Sequence, residues 1–242
     1  MIINNTQIFG AIMIILLVSS CAVEPNRVDY FSDFPNIDFN TESDSVCDPS
    51  AIFLTKAETS SAIGTVGIIE WSTTISPLMS ASIEFGLDEN YEYVAPVDLN
   101  EPNYRTLLLG MKPNKLYHYR IVVNGCKGND LMLETGEHPT NLPNKKLSVN
   151  NSELSAEGFI VTSTGMRLNY AYILDKDGDY VWWYPFSSAE SGGRMDGIGR
   201  ARLSVDGKYM WAATINVGCG CGYLYRIGMD GLGVQETIAV NL

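Results

Sequence analysis

The sequence predicts an all-β protein: a β-sandwich followed by about two blades of an incomplete β-propeller. Three observations carry that prediction. Short β-favouring runs recur from Ala51 to Thr135 with no helical period between them. Asp-Gly turns flanked by apolar runs punctuate the C-terminal part at Asp177-Gly178, Asp206-Gly207 and Asp230-Gly231. The first and third of these lie about fifty residues apart, the length of one four-stranded blade.

The clearest element is Asn169 to Pro185. Tyr170, Tyr172 and Leu174 alternate with smaller or branched residues, Asp177-Gly178 supplies the turn, and Tyr180-Val-Trp-Trp-Tyr184 returns, so this stretch reads as a β-hairpin. The grammar returns in Arg202 to Thr214 and in Tyr223 to Thr237. A repeat that leaves its own apolar faces bare must stack on copies of itself. A closed propeller takes about four to eight blades, so the expectation is either a truncated sequence or a binding module built from what is present.

From the N-terminus, Ile8 to Val18 is an apolar run of secretory length, too short to span a bilayer comfortably. It ends in Leu17-Val-Ser-Ser-Cys21, which resembles a bacterial lipobox, with Cys21 the lipid attachment residue and 1–20 the signal peptide. No Lys or Arg precedes the apolar core, and a plain signal peptide or an uncleaved anchor is the alternative. The resemblance implies a bacterial cell-envelope location, periplasmic or outer-membrane, held to the membrane by lipid. Residues 21–46 are acidic and polar, as a solvated tether is. With 16 basic against 28 acidic residues and a formal net charge of −12, nucleic acid is not an expected partner. An oxidising compartment lets the remaining cysteines, Cys47, Cys126, Cys219 and Cys221, form disulfides.

Residues 47–137 carry the sandwich strands: Thr65 to Trp71, Ser82 to Phe85, Tyr104 to Leu109 and Leu116 to Val123. Trp71 on an early strand, Ser82-Ile-Glu-Phe-Gly86, and Leu109-Gly-Met-Lys-Pro113 followed by Tyr117 and Tyr119 together resemble a fibronectin type III-like domain. Trp71 is then the core anchor, and Tyr117 and Tyr119 belong to a tyrosine corner. In that arrangement Cys47 and Cys126 lie at the same pole, where a disulfide is sterically reasonable; two independent cysteines are the alternative.

Thr135-Gly-Glu-His-Pro-Thr-Asn-Leu-Pro143 reads as the start of a linker that occupies 138–150. It resembles the segment that joins a fibronectin-like domain to the propeller in arylsulfotransferases. Glu157-Gly-Phe-Ile-Val-Thr162 and the Tyr172 to Tyr184 hairpin resemble that family's opening blade, placing the partial propeller at 151–242. The likeness covers about Ile52 to Val240. It implies an exported, lipid-anchored, arylsulfotransferase-like protein, whose full-length form moves sulfuryl groups between an aryl sulfate and a phenol through a transient sulfohistidine. That chemistry needs an imidazole nucleophile and donors for the sulfate oxygens. The two histidines, His118 and His138, fall in the sandwich and the linker, so no catalytic residue is assigned and the enzyme reading stays open. A non-catalytic cell-surface adhesion or binding module is the alternative.

Arg194, Arg200 and Arg202 flank a strand suited to a propeller axis and are candidate anion-binding residues, with solvated surface arginines as the alternative. Asp175, Asp177 and Asp179 alternate around Gly178, but the glutamate that closes a calcium loop is missing, and a hairpin turn is the better reading. Cys219-Gly-Cys221 supplies half a tetrahedral metal set at most. His118 and His138 read as solvent-facing residues. No metal or cofactor is expected. Gly158 to Ser163 and Val234 to Val240 are expected to be exposed sheet edges.

Overall fold

In the computed structural model, residues 47–145, 158–164, 169–186, 197–216, 218 and 220–241 are described, and all of them belong to one compact unit. The predicted all-β class holds, and every named sheet is antiparallel. The signal segment, Cys21, Arg194 and Cys219 lie outside the described residues.

The N-terminal part contains β1 (Ile52–Thr59), β2 (Gly67–Thr73), β3 (Ala81–Gly86), β4 (Tyr93–Pro96), β5 (Thr106–Leu108), β6 (Leu116–Val123), β7 (Cys126–Lys127) and β8 (Leu131–Glu134). One sheet runs β1-β2-β5; the other runs β4-β3-β6-β7, with β8 also paired to β6. β6 shows why the two sheets face each other. Tyr117, Tyr119, Ile121 and Val123 point inward and are buried, while Leu116, His118, Arg120 and Val122 point outward. These inward residues meet Ile69 and Trp71 of β2, Leu108 of β5, and Ile83 and Phe85 of β3 in one apolar core. Trp71 is fully buried there, and removing its side chain from water is worth on the order of 4–6 kcal/mol.

Local chemistry closes the sandwich. Asn124 (φ 49°) and Gly125 (φ 83°) both take left-handed conformations in the two-residue turn from β6 to β7, the geometry that an Asn-Gly pair favours. That turn sets Cys126 beside Cys47, and the two form a disulfide with Cα atoms 5.1 Å apart across 79 residues. The Tyr117 hydroxyl accepts a hydrogen bond from the Lys112 backbone N–H at 2.8 Å, holding the loop before β6. Two predicted strands differ from expectation: β2 is shifted by two residues to Gly67–Thr73, and β5 is shortened to Thr106–Leu108. Thr65 is drawn out of β2 because its hydroxyl donates to the Val181 carbonyl at 2.9 Å. Tyr104 is left-handed (φ 47°) at the end of a short helical turn, so β5 begins only at Thr106.

The C-terminal part contains β9 (Ile160–Ser163), β10 (Tyr170–Leu174), β11 (Tyr180–Pro185), β12 (Gly197–Leu203), β13 (Tyr209–Ile215), β14 (Cys221–Gly228) and β15 (Val234–Asn241). They make a three-stranded sheet, β11-β10-β9, and a four-stranded one, β12-β13-β14-β15, each an up-and-down meander. The three Asp-Gly turns share one construction. Gly178, Gly207 and Gly231 have φ of +80°, +70° and +71°. Each donates its N–H to the carbonyl three residues earlier, on Asp175, Ser204 and Gly228.

The two sheets share a core made of Ala171, Ile173 and Trp182 on one side and Ile198, Met210, Ala212, Tyr225 and Ile227 on the other. The Trp182 indole N–H donates to the Met229 carbonyl at 2.8 Å, tying the first meander to the second. Ile63, Val66 and Leu142 from the sandwich side join the same core.

Polar contacts reinforce that junction. Arg105 pairs with Asp230 at 2.8 Å, and Lys208 pairs with Asp98 at 2.6 Å. The Lys112 ammonium lies 3.1, 2.6 and 3.0 Å from the carboxylates of Asp175, Asp177 and Asp179. The stretch predicted as a linker takes part as well. Leu142 is buried, and the Tyr180 hydroxyl donates to the Pro143 carbonyl at 2.8 Å.

Candidate functional site

The four-stranded sheet has two unlike faces. Alternation and register place Met210, Ala212, Tyr225 and Ile227 on the face that joins the shared core. The opposite face carries Tyr209, Trp211, Ala213 and Ile215 from β13, Leu224 and Arg226 from β14, and Glu236 and Ile238 from β15. Arg200 and Arg202 of β12 sit opposite Ala213 and Trp211, so they share this second face.

A bulge at Gly199 sets the position of both arginines. The register of β12 slips between Ile198 and Arg200, and Ile215 lies where a side chain at Gly199 would be. The slip lets Ile198 stay in the core while Arg200 and Arg202 emerge on the open side. Both guanidiniums are exposed, and among the described residues neither has an ion-pair partner. Arg226 is held differently. Its guanidinium lies 4.8 Å from the Tyr209 ring centroid and 5.9 Å from that of Trp211, and it pairs with Glu236 at 3.2 Å.

The open face is therefore graded. Its β12 margin is cationic and beside an indole; away from that margin, beside the Arg226–Glu236 pair, it is apolar, with Ile215 of β13 and Ile238 and Val240 of β15 each at least 40% exposed. An anion with an aromatic body fits the first part, through bidentate guanidinium contacts and stacking. Another sheet fits the second.

The remaining predicted residues are placed as follows. Asp175, Asp177 and Asp179 form the β10–β11 hairpin turn, and the Asp175 carboxylate accepts hydrogen bonds from the Asp177 and Asp179 backbone N–H groups. Burial disfavours charge on Lys112, but its hydrogen bonds to Asp177, Asp179 and Asp175 outweigh that and raise its pKa well above the ordinary lysine value. The Lys112 hydrogen bond in turn lowers the Asp177 pKa. Cys221 is disulfide-bonded, with its partner outside the described residues. His138 is exposed, edge-on to Tyr180 at 5.8 Å between ring centroids.

His118 departs from the solvent-facing expectation. It is half-buried on the outer side of β6, with Nδ1 2.9 Å from the Asp130 carboxylate. The His-to-Asp spacing of twelve residues matches no local motif; the pairing of β6 with β8 brings the two together.

No family model matches this chain, and no curated protein matches it significantly.

Proposed function

We propose that the protein is an exported, lipid-anchored member of the arylsulfotransferase-like group, with a fibronectin type III-like sandwich leading into the opening blades of a β-propeller. The observation that carries the reading is the pair of stacked meanders whose leading strand, β12, bears Arg200 and Arg202 on its open side. The innermost strand of a blade borders the ring axis, and two guanidiniums with no ion-pair partner among the described residues suit the oxygens of a sulfate ester there. Trp71 in the core, the Tyr117 hydroxyl on the Lys112 backbone and the Cys47–Cys126 disulfide support the sandwich assignment.

In the full-length reaction an imidazole nitrogen attacks the sulfur of an aryl sulfate, the S–O bond to the aryl group breaks, and a phenolate leaves. The oxygen of an acceptor phenol then attacks the sulfohistidine, which returns the free imidazole. Neither His118 nor His138 belongs to the C-terminal sheets, so this reading assigns the nucleophile to neither of them. Arg200 and Arg202 bind the sulfate and disperse the charge that develops on its oxygens.

The test is a phenol-release assay on the natural protein from the cell envelope, given a chromogenic aryl sulfate and a phenol acceptor. The reading expects acceptor-dependent release that falls about a hundredfold or more in the Arg200→Met, Arg202→Met double variant. No release by the wild-type natural protein overturns it.

A second reading, a non-catalytic cell-surface binding module, draws on the welded junction of Lys112 with Asp175, Asp177 and Asp179 and of Arg105 with Asp230. These fix the sandwich and the sheets as one rigid scaffold. That reading expects the 242-residue chain to melt cooperatively as a monodisperse monomer, and self-association of the isolated chain counts against it.

A further inference from the structure

We propose that Glu89, His118 and Asp130 form a divalent-metal site, of the zinc class, on the outer face of the sandwich. Three separate segments supply the ligands: Glu89 comes from the β3–β4 turn, His118 from β6, and Asp130 from the connection between β7 and β8. One donor atom from each lies within 4.8 Å of the other two. A nitrogen and two carboxylate oxygens suit zinc and its borderline neighbours, with water completing the shell of an open three-ligand site.

The geometry is close to what a metal needs. With metal–ligand bonds of about 2.0–2.2 Å at a tetrahedral angle, neighbouring donor atoms stand roughly 3.3–3.5 Å apart. Today His118 Nδ1 is 2.9 Å from Asp130 Oδ2, so seating an ion means opening that contact by about half an ångström and drawing in Glu89.

The surrounding groups already orient the ligands. The Tyr91 hydroxyl donates to Asp130 Oδ1 at 2.8 Å, leaving Oδ2 directed at His118. This is the outer hydrogen bond that metal-binding carboxylates use. Tyr91 is itself fixed. It is buried and left-handed (φ 51°), with its N–H on the Asp88 carbonyl and the Arg120 guanidinium 4.1 Å from its ring centroid.

The nearest cation does not compete for the site, because Arg120 is engaged by Glu84 at 2.6 Å. Glu89 has no hydrogen bond or ion pair among the described residues.

The test uses the whole chain, stripped with chelator and titrated with Zn2+ by calorimetry and with Co2+ by visible absorption. The expected result is one equivalent bound at micromolar affinity, the intense visible bands of a four- or five-coordinate cobalt site, and a raised melting temperature. His118→Gln and Asp130→Asn each abolish these signals, with circular dichroism in chelator confirming that both variants fold. Tyr91→Phe keeps the site but weakens it by about tenfold or more. No saturable binding overturns the proposal. So does stoichiometric binding that His118→Gln leaves unchanged, which would place the ion elsewhere.

Discussion

The sandwich and the C-terminal sheets are built from the same kinds of residue, yet they solve the problem of apolar faces differently. In the sandwich, two sheets turn their inner faces toward each other, and the outward side of β6 carries His118 and Arg120 in polar contacts. In the C-terminal part, the inner face of the four-stranded sheet is buried, while its other face keeps Trp211, Ile215, Leu224 and Ile238 in a row beside three arginines. A sandwich is finished by two layers; a meander stack is not. The difference teaches that the C-terminal part keeps an aromatic and arginine-bearing face open, which the proposed reading makes a stacking surface.

The disulfide offers the strongest way to break this comparison. The Cys47–Cys126 bridge closes a loop of 79 residues, so replacing both cysteines with serine is expected to cost about 4 kcal/mol by loop-closure entropy. Denaturant melts should show that loss in the sandwich. If the two regions melt together before and after the change, the junction makes them one cooperative unit; a split transition separates them.

Gly231→Ala probes the junction from the other side. At φ +71° a Cβ is strained, and it would meet the Ile63 side chain. The expected cost is about 3 kcal/mol, read as a shift in midpoint at constant slope.

Lys112→Met leaves Asp175, Asp177 and Asp179 facing one another without their shared cation, at about 2 kcal/mol. The same cluster sets a pH dependence with a definite sign. Because the folded Asp177 has a pKa below its ordinary 3.8, its contribution is complete above that value and is lost as pH falls through the lowered one. Lys112, raised above 10.5, contributes fully below that value and loses its contribution as pH rises through the raised one. Melts of Lys112→Met should therefore be flatter than wild type at both extremes of pH.

Ile238→Thr is expected to change stability by less than about 0.5 kcal/mol, since the side chain is exposed. It should nevertheless reduce concentration-dependent association measured by sedimentation, because it removes apolar area from the open face.

Much of this was legible locally. β6 occupies the predicted Leu116–Val123, because a run of alternating aromatic and branched residues admits only one set of inward positions. The three Asp-Gly turns were readable because glycine is what a positive φ demands. What sequence could not carry were partners supplied by topology. Lys112 and Asp177 are 65 residues apart, Thr65 and Val181 are 116 apart, and no periodicity encodes either contact. His118 looked like an ordinary outward strand residue for the same reason: Asp130 reaches it only once β8 pairs with β6. The bulge at Gly199 was hidden too, although a glycine within an otherwise regular strand is the signal that would have found it.

The proposed reading makes the face bearing Trp211 a stacking face of a repeating sheet array, and collisional quenching of tryptophan fluorescence reads it directly. Trp71, Trp182 and Trp183 are buried, so Trp211, the remaining one of four, dominates quenching by acrylamide and is identified by its loss in Trp211→Phe. The account predicts that Trp211 is quenched readily in the dilute monomer and protected when the open faces pair at high protein concentration. Equal quenching in both would contradict it.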